Sequence, residues 1–208
     1  MNYTFDKGLY AKLFEIFDTI AKKGTYTPGD IIDIINNHVD MYFGTKNLTR
    51  EFVEIILYAL YKDNENAAKY IFDEYKDEID MSVLVYTSLV AEVDPIIVDT
   101  YFDNWEIKEN DQKKPTAIIL QVLKKSNDEY MDILIDHENV VEALTVRNVE
   151  VMFHTFTKRF MRTEMAIKRW KILLDNFKHL NDKMSEVASK DTELMEIFYP
   201  NALDIFIF

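Results

Sequence analysis

Histidine and cysteine are the side chains that most often bind transition metals or act as nucleophiles and bases, and this chain uses them sparingly. It contains no cysteine and four histidines: His38, His137, His154 and His179. No two histidines are three or four residues apart, so no single helix can present the paired imidazoles of a zinc site. A covalent mechanism would need a serine or threonine beside a base, and no nucleophile-elbow motif occurs. The pattern predicts neither a metal centre nor nucleophilic catalysis.

Carboxylates are the abundant reactive group, with 37 aspartate and glutamate residues against 24 lysines and arginines. They cluster in three short runs: Asp73-Glu74, Asp77-Glu78-Ile79-Asp80, and Asp128-Glu129 with Asp132. Such runs usually form solvated helix faces, so we expect no metal, no cofactor and no enzymatic activity. A pair of carboxylates brought together by the fold, as in glycosidases, stays open as an alternative.

Glycine and proline are scarce, at four residues each. With so few glycines the backbone can form few left-handed turns, hairpins or bulges, which argues against a sheet protein. The same shortage removes the glycine-rich loops that bring backbone amides close to a phosphate. We therefore expect an all-α protein without a nucleotide-binding loop of the usual kinds.

Positive charge is concentrated in one segment of a chain whose net charge is −13. Residues 147–171 hold seven basic residues against Glu150 and Glu164, a net of +5. Six of them form a candidate patch for an anionic partner: Lys158, Arg159, Arg162, Lys168, Arg169 and Lys171. The alternative is a solvated face that pairs with acidic helices of the same chain. The net charge predicts weak or absent nucleic-acid binding by the whole molecule.

Apolar residues make up 48% of the 208 residues and recur at helical spacing nearly throughout, which excludes a disordered chain. We expect an α-helical domain over 1–200, with N-terminal helices within 6–44 and helix pairs over 48–200. A long helix is expected over about 165–188. A short last helix should end before Pro200. No run reaches the ~20 apolar residues of a membrane span and no signal peptide is visible, so we expect a cytoplasmic protein.

Four helix pairs can be aligned along 48–200. The second helix of each ends in two apolar residues and an aspartate: Ile71-Phe72-Asp73, Tyr101-Phe102-Asp103, Leu134-Ile135-Asp136 and Leu173-Leu174-Asp175. The aspartates are 30, 33 and 39 residues apart. Asn64, Asp94 and Asn127 are placed to cap the second helices of the first three pairs.

A period near 33 with two short helices resembles ankyrin repeats, although the usual Thr-Pro-Leu-His tetrapeptide is absent. The resemblance implies a degenerate, ankyrin-like stack of helix pairs, and an irregular helical bundle is the alternative. In such a stack the polar linker 104–114 resembles the extended finger between repeats. That placement makes Trp105 a candidate exposed anchor for a partner.

An apolar string, Ala202-Leu203-Asp204-Ile205-Phe206-Ile207-Phe208, follows Pro200. Leaving these side chains in water is costly, because burying a leucine, isoleucine or phenylalanine is worth roughly 1.5–3 kcal/mol. The segment 201–208 therefore either packs on the domain of its own chain or inserts into a partner.

The order of residues in this segment resembles the peptides with which bacterial and phage proteins bind the DNA sliding clamp. The bacterial form reads Gln-Leu-(Ser or Asp)-Leu-Phe, and the form in large tailed phages has a small residue, Leu-Asp and two or three large apolar residues. Ala202 stands in place of the glutamine or small residue. The resemblance implies that Leu203 and Phe206 enter an apolar pocket, that Ile205 and Phe208 line its mouth, and that Asp204 faces outward or the partner backbone.

The resemblance implies a non-enzymatic adaptor, of phage type, that docks on a sliding clamp and acts in replication or clamp-coupled transcription. A second partner would bind the helical array. The alternative is a stand-alone acidic inhibitor or DNA mimic that blocks a host protein, with the apolar segment part of its core. An enzyme with an unrecognised carboxylate site is the third reading.

Overall fold

The computed structural model describes residues 48–61, 63–107, 113–125, 127–155 and 164–199. Within them the chain forms eleven α-helices and no β-strand, which confirms the all-α class for this part of the protein. The helices are α1 (Leu48–Tyr61), α2 (Glu65–Tyr75), α3 (Met81–Ala91), α4 (Pro95–Asp103), α5 (Lys113–Lys124), α6 (Glu129–Asp136), α7 (Glu138–Glu142), α8 (Val146–Thr155), α9 (Glu164–Asn176), α10 (Lys178–Ala188) and α11 (Thr192–Phe198). No helix among them is long and apolar enough to cross a membrane. The helices expected within 6–44 and the segment 201–208 lie outside the described residues.

The chain divides into two compact units, Met1–Asp94 and Pro95–Phe208, where the sequence suggests one helical domain over 1–200. In the first unit, α1 packs on α2 and α3. Asn64 caps α2 as predicted, because its Oδ1 accepts the N–H of Ala67 at 3.1 Å. The cap predicted at Asn127 is wrong by one residue: Asp128 is the N-cap of α6, while the Asn127 Oδ1 accepts the Glu129 N–H at 3.0 Å. Phe52 of α1 stacks on Tyr75 at the end of α2, with ring centroids 4.3 Å apart.

Two helices hold the second unit together. Helix α5 packs on α6, α7, α8 and α9, while α10 packs on α7, α8, α9 and α11. Their fully buried side chains are Ile119, Val122 and Leu123 in α5 and Leu180, Met184 and Ala188 in α10. These helices supply the apolar core on which the shorter helices of this unit rest.

The predicted helix pairs are found only in part. Helices α1 and α2 pack together, as do α5 and α6, which correspond to the first and third predicted pairs. The second pair, α3 and α4, is divided between the two units. In the fourth pair, α8 packs mainly on α5 and α10. A regular stack of four pairs is therefore not confirmed.

The single long helix expected over 165–188 is wrong, because the chain breaks at Phe177 into α9 and α10. Phe177 has an extended backbone, with φ −119° and ψ 95°. Just before it, the side-chain amide of Asn176 donates to the carbonyl of Ile172 at 2.8 Å, and such local bonds compete with helix propagation. The break buries the Phe177 ring and lets α10 pack against α9.

Helix α3 ends on a residue whose backbone is left-handed, Glu92, with φ 57° and ψ 46°. The Glu92 N–H donates to Leu89 O, and the Val93 N–H donates to Ser88 O at 3.1 Å, a helix end that favours glycine. A side chain with a Cβ is unfavourable in this conformation.

We therefore expect Glu92→Gly to raise the free energy of unfolding by about 0.5–1 kcal/mol. Urea unfolding followed by circular dichroism would measure the gain. Glu92→Ala serves as the matched control, because alanine removes the same charge but keeps the Cβ. An equal gain in both variants would attribute the effect to charge and contradict the backbone explanation.

Candidate partner-binding site

The residues of the predicted clamp-binding peptide, Ala202, Leu203, Asp204, Ile205, Phe206 and Phe208, lie outside the described residues. The structure describes the chain up to Tyr199, three residues before Ala202. Helices α10 and α11 precede the peptide in the chain and pack on each other.

Helix α11 is too short to be stable alone and packs on α10. At its start, the side chain of Asp191 accepts the N–H of Leu194 at 3.3 Å, in the manner of an N-cap. Along its length, Leu194 and Phe198 are buried against the core. The predicted short last helix is thereby confirmed.

Tyr199 fastens the other end of α11. Its hydroxyl lies 2.6 Å from the Asn181 Oδ1 and 3.2 Å from the Asn181 backbone carbonyl, both on α10. Burial, reinforced by the Asp182 carboxylate, raises the pKa of the Tyr199 hydroxyl to about 12, so the proton it donates is present at neutral pH. Pro200, which lacks an N–H, then prevents continuation of the helix. Tyr199, the last described residue, is therefore held on α10.

Five charged side chains of α10, α11 and their connection bear on the electrostatics of this region. Asp182 lies close enough to Tyr199 to raise the pKa of its hydroxyl, and Glu196 is exposed on α11. On the same helices, Lys190 contacts Glu186 at 3.5 Å and Lys183 donates to the carbonyl of Leu144. Within the described part of the chain, neither Asp182 nor Glu196 has a cation within 4 Å.

The candidate basic patch is only partly described. Lys158, Arg159 and Arg162 lie outside the described residues, whereas Lys168 and Lys171 are exposed on α9. Arg169 does not belong to such a patch, since 2% of its surface is exposed. The expectation that it faces an anionic partner is wrong, because its guanidinium points into the core.

The Arg169 guanidinium joins three elements of the second unit. Its Nη1 donates to the carbonyl of Val122 in the last turn of α5 at 3.3 Å. Its Nη2 donates to Asp128 Oδ1, at the start of α6, at 2.5 Å. The guanidinium lowers the pKa of the Asp128 carboxyl, first through the hydrogen bond and then through its charge. Helical spacing in the sequence could have predicted the burial of Arg169, because position 169 lies on the same face of the helix as the buried residues Ala166, Trp170 and Leu173.

Trp105 is buried, with 7% of its surface exposed, so its predicted role as an exposed anchor is wrong. Its ring meets that of Phe102 edge to face, with centroids 6.1 Å apart. The Trp105 N–H also donates to the Phe102 carbonyl at 3.0 Å, which turns the chain back towards α4. The tryptophan therefore belongs to the core beside α4 rather than to a projecting finger.

Two histidine side chains, His137 and His179, are described, and His137 contacts residues of another helix. Its Nε2 lies 2.9 Å from Asp99 Oδ1 and 3.8 Å from Asp103 Oδ1, and its ring stacks on Phe102. The residue sits between α6 and α7, so these contacts attach that corner to α4. His38 lies outside the described residues, and His154 and His179 belong to α8 and α10. In the described ranges no group of three or more histidine or carboxylate residues is arranged to hold a metal ion.

The direction of the pKa shift of Asp128 determines how the contribution of the Arg169–Asp128 pair to stability depends on pH. Because the folded state lowers the pKa of Asp128, the pair stabilises the protein above the ordinary aspartate value of about 3.9. That stabilisation is lost as pH falls through the lower pKa of the folded state.

We expect Asp128→Asn to lower the urea midpoint at about pH 7, with the difference from the parent shrinking as the pH falls below the ordinary aspartate pKa of about 3.9. Asp132→Asn is the control, since Asp132 is exposed on the same helix. Equal shifts in both variants at neutral pH would contradict a specific role for the contact with Arg169.

Removal of the Tyr199 hydroxyl should loosen α11. We expect Tyr199→Phe to speed backbone amide exchange in α11 by about three- to tenfold, the effect of one partly buried hydrogen bond. Hydrogen–deuterium exchange with peptide mapping would measure it, and α5 supplies an internal reference. Tyr86→Phe, at an exposed tyrosine of the first unit, is the matched control. Unchanged exchange in α11 would show that the hydroxyl does not fasten this helix.

The polar contacts described in the second unit include those of Arg169 with Asp128, His137 with Asp99, Lys183 with the Leu144 carbonyl, and Tyr199 with Asn181. Of these four, the last lies nearest in the sequence to the predicted partner-binding residues. No protein-family model matches the chain, and neither a curated protein nor a solved structure is measurably similar to it.

Proposed function

We propose that this chain is a non-enzymatic interaction protein that docks on a DNA sliding clamp of bacterial or tailed-phage type through residues 202–208. It acts in replication or in clamp-coupled transcription, in the cytoplasm of the cell where that clamp works. The observation that carries the proposal is the order small residue, Leu203, Asp204, Ile205, Phe206, which is the order of clamp-binding peptides.

The helices before this segment support the proposal because they suit a recognition peptide. Tyr199 is fastened to Asn181, and α11 ends at Phe198, before the apolar residues of 202–208 begin in the sequence. A peptide that starts from a held point loses less freedom on binding than one on a long linker. Leu203 and Phe206 would fill the pocket, with Ile205 and Phe208 at its mouth and Asp204 turned outward or towards the partner backbone.

Docking of this kind localises whatever the helical body binds. Tethering two binding events raises the effective concentration of the second without any new contact. The net charge of −13 fits an indirect route to DNA, because the body itself repels phosphates. The clamp would supply the position on DNA and the helices would supply the second interaction.

A second candidate, an acidic inhibitor or DNA mimic, has its own support. Helices α4, α6 and α7 contain seven carboxylates and no lysine or arginine; the carboxylates are Asp99, Asp103, Glu129, Asp132, Asp136, Glu138 and Glu142. Helix α4 packs on α6, and α6 on α7, so these charges belong to neighbouring elements. A basic protein that binds DNA phosphates would meet a comparable density of negative charge there.

The test compares the intact chain with a chain truncated after Pro200 and with the double variant Leu203→Ala, Phe206→Ala. Both changes are expected to weaken binding to a purified sliding clamp by at least about 30-fold, because each removed side chain anchors an apolar pocket. Isothermal titration calorimetry would measure the affinity, with circular dichroism to confirm that the variants fold. Asn201→Ala, just outside the peptide, is the control and should bind like the parent.

Two outcomes would contradict the clamp proposal. Equal clamp binding by the parent and the truncated chain would place the contact elsewhere, and unfolding on truncation would assign the segment to the core. A further result would favour the acidic inhibitor: the parent and the truncated chain bind the clamp equally, and both displace duplex DNA from a basic DNA-binding protein to the same extent. The acidic-inhibitor candidate would then replace the clamp proposal.

A further inference from the structure

We draw no further inference here: the strongest candidate, the partly exposed face of the uncharged helix α3 at Val83, Tyr86 and Thr87, carries none because nothing in the described part of the chain shows what covers it.

Discussion

The second unit depends on a buried guanidinium. Arg169 lies among apolar helices and donates two hydrogen bonds to other elements. One goes to the Val122 carbonyl in the last turn of α5, and the other goes to the side chain of Asp128 at the start of α6. Desolvating a charge is expensive, so such a residue is tolerated only where hydrogen bonds and an opposite charge compensate it. The turn between α5 and α6 must therefore keep the shape that presents both acceptors to α9. Trp170, next in the chain and fully buried, fixes α9 from the same side.

Parts of this structure follow directly from the sequence. The scarcity of glycine, the apolar spacing and the cap at Asn64 predict helices and some of their ends, because these signals act within a few residues. The last helix and its end before Pro200 are predictable for the same reason. The break at Phe177 is not, because the apolar stripe continues through it and only the competing bond of Asn176 marks the change. Boundaries set by packing leave a weaker local signal than boundaries set by caps.

The candidate site shows the same division. The proposed recognition peptide rests on the order of residues 202–206, which the sequence shows directly. The contact that holds the preceding residue, Tyr199, cannot be predicted in this way, because Tyr199 and Asn181 are 18 residues apart and meet only after α10 and α11 pack. Arg169 and Trp105 mislead for a related reason. A charged residue and a tryptophan in a polar linker suggest exposure, yet helical period and a neighbouring phenylalanine place both in the core. Composition describes a segment, whereas burial is decided residue by residue.

The Arg169–Asp128 pair is also asymmetric, and the asymmetry bears on how the sequence can change over evolutionary time. Asp128 is 83% exposed and stays solvated if its partner is lost, whereas Arg169, with 2% of its side chain exposed, would be left as an uncompensated cation in the core. Loss of the arginine to an apolar residue of similar volume can therefore precede loss of the aspartate, but the reverse order passes through a destabilised intermediate. Substitutions at the two positions should therefore occur in a fixed order. Related sequences that retain the arginine should retain the aspartate, whereas some that have lost the arginine should still carry the aspartate.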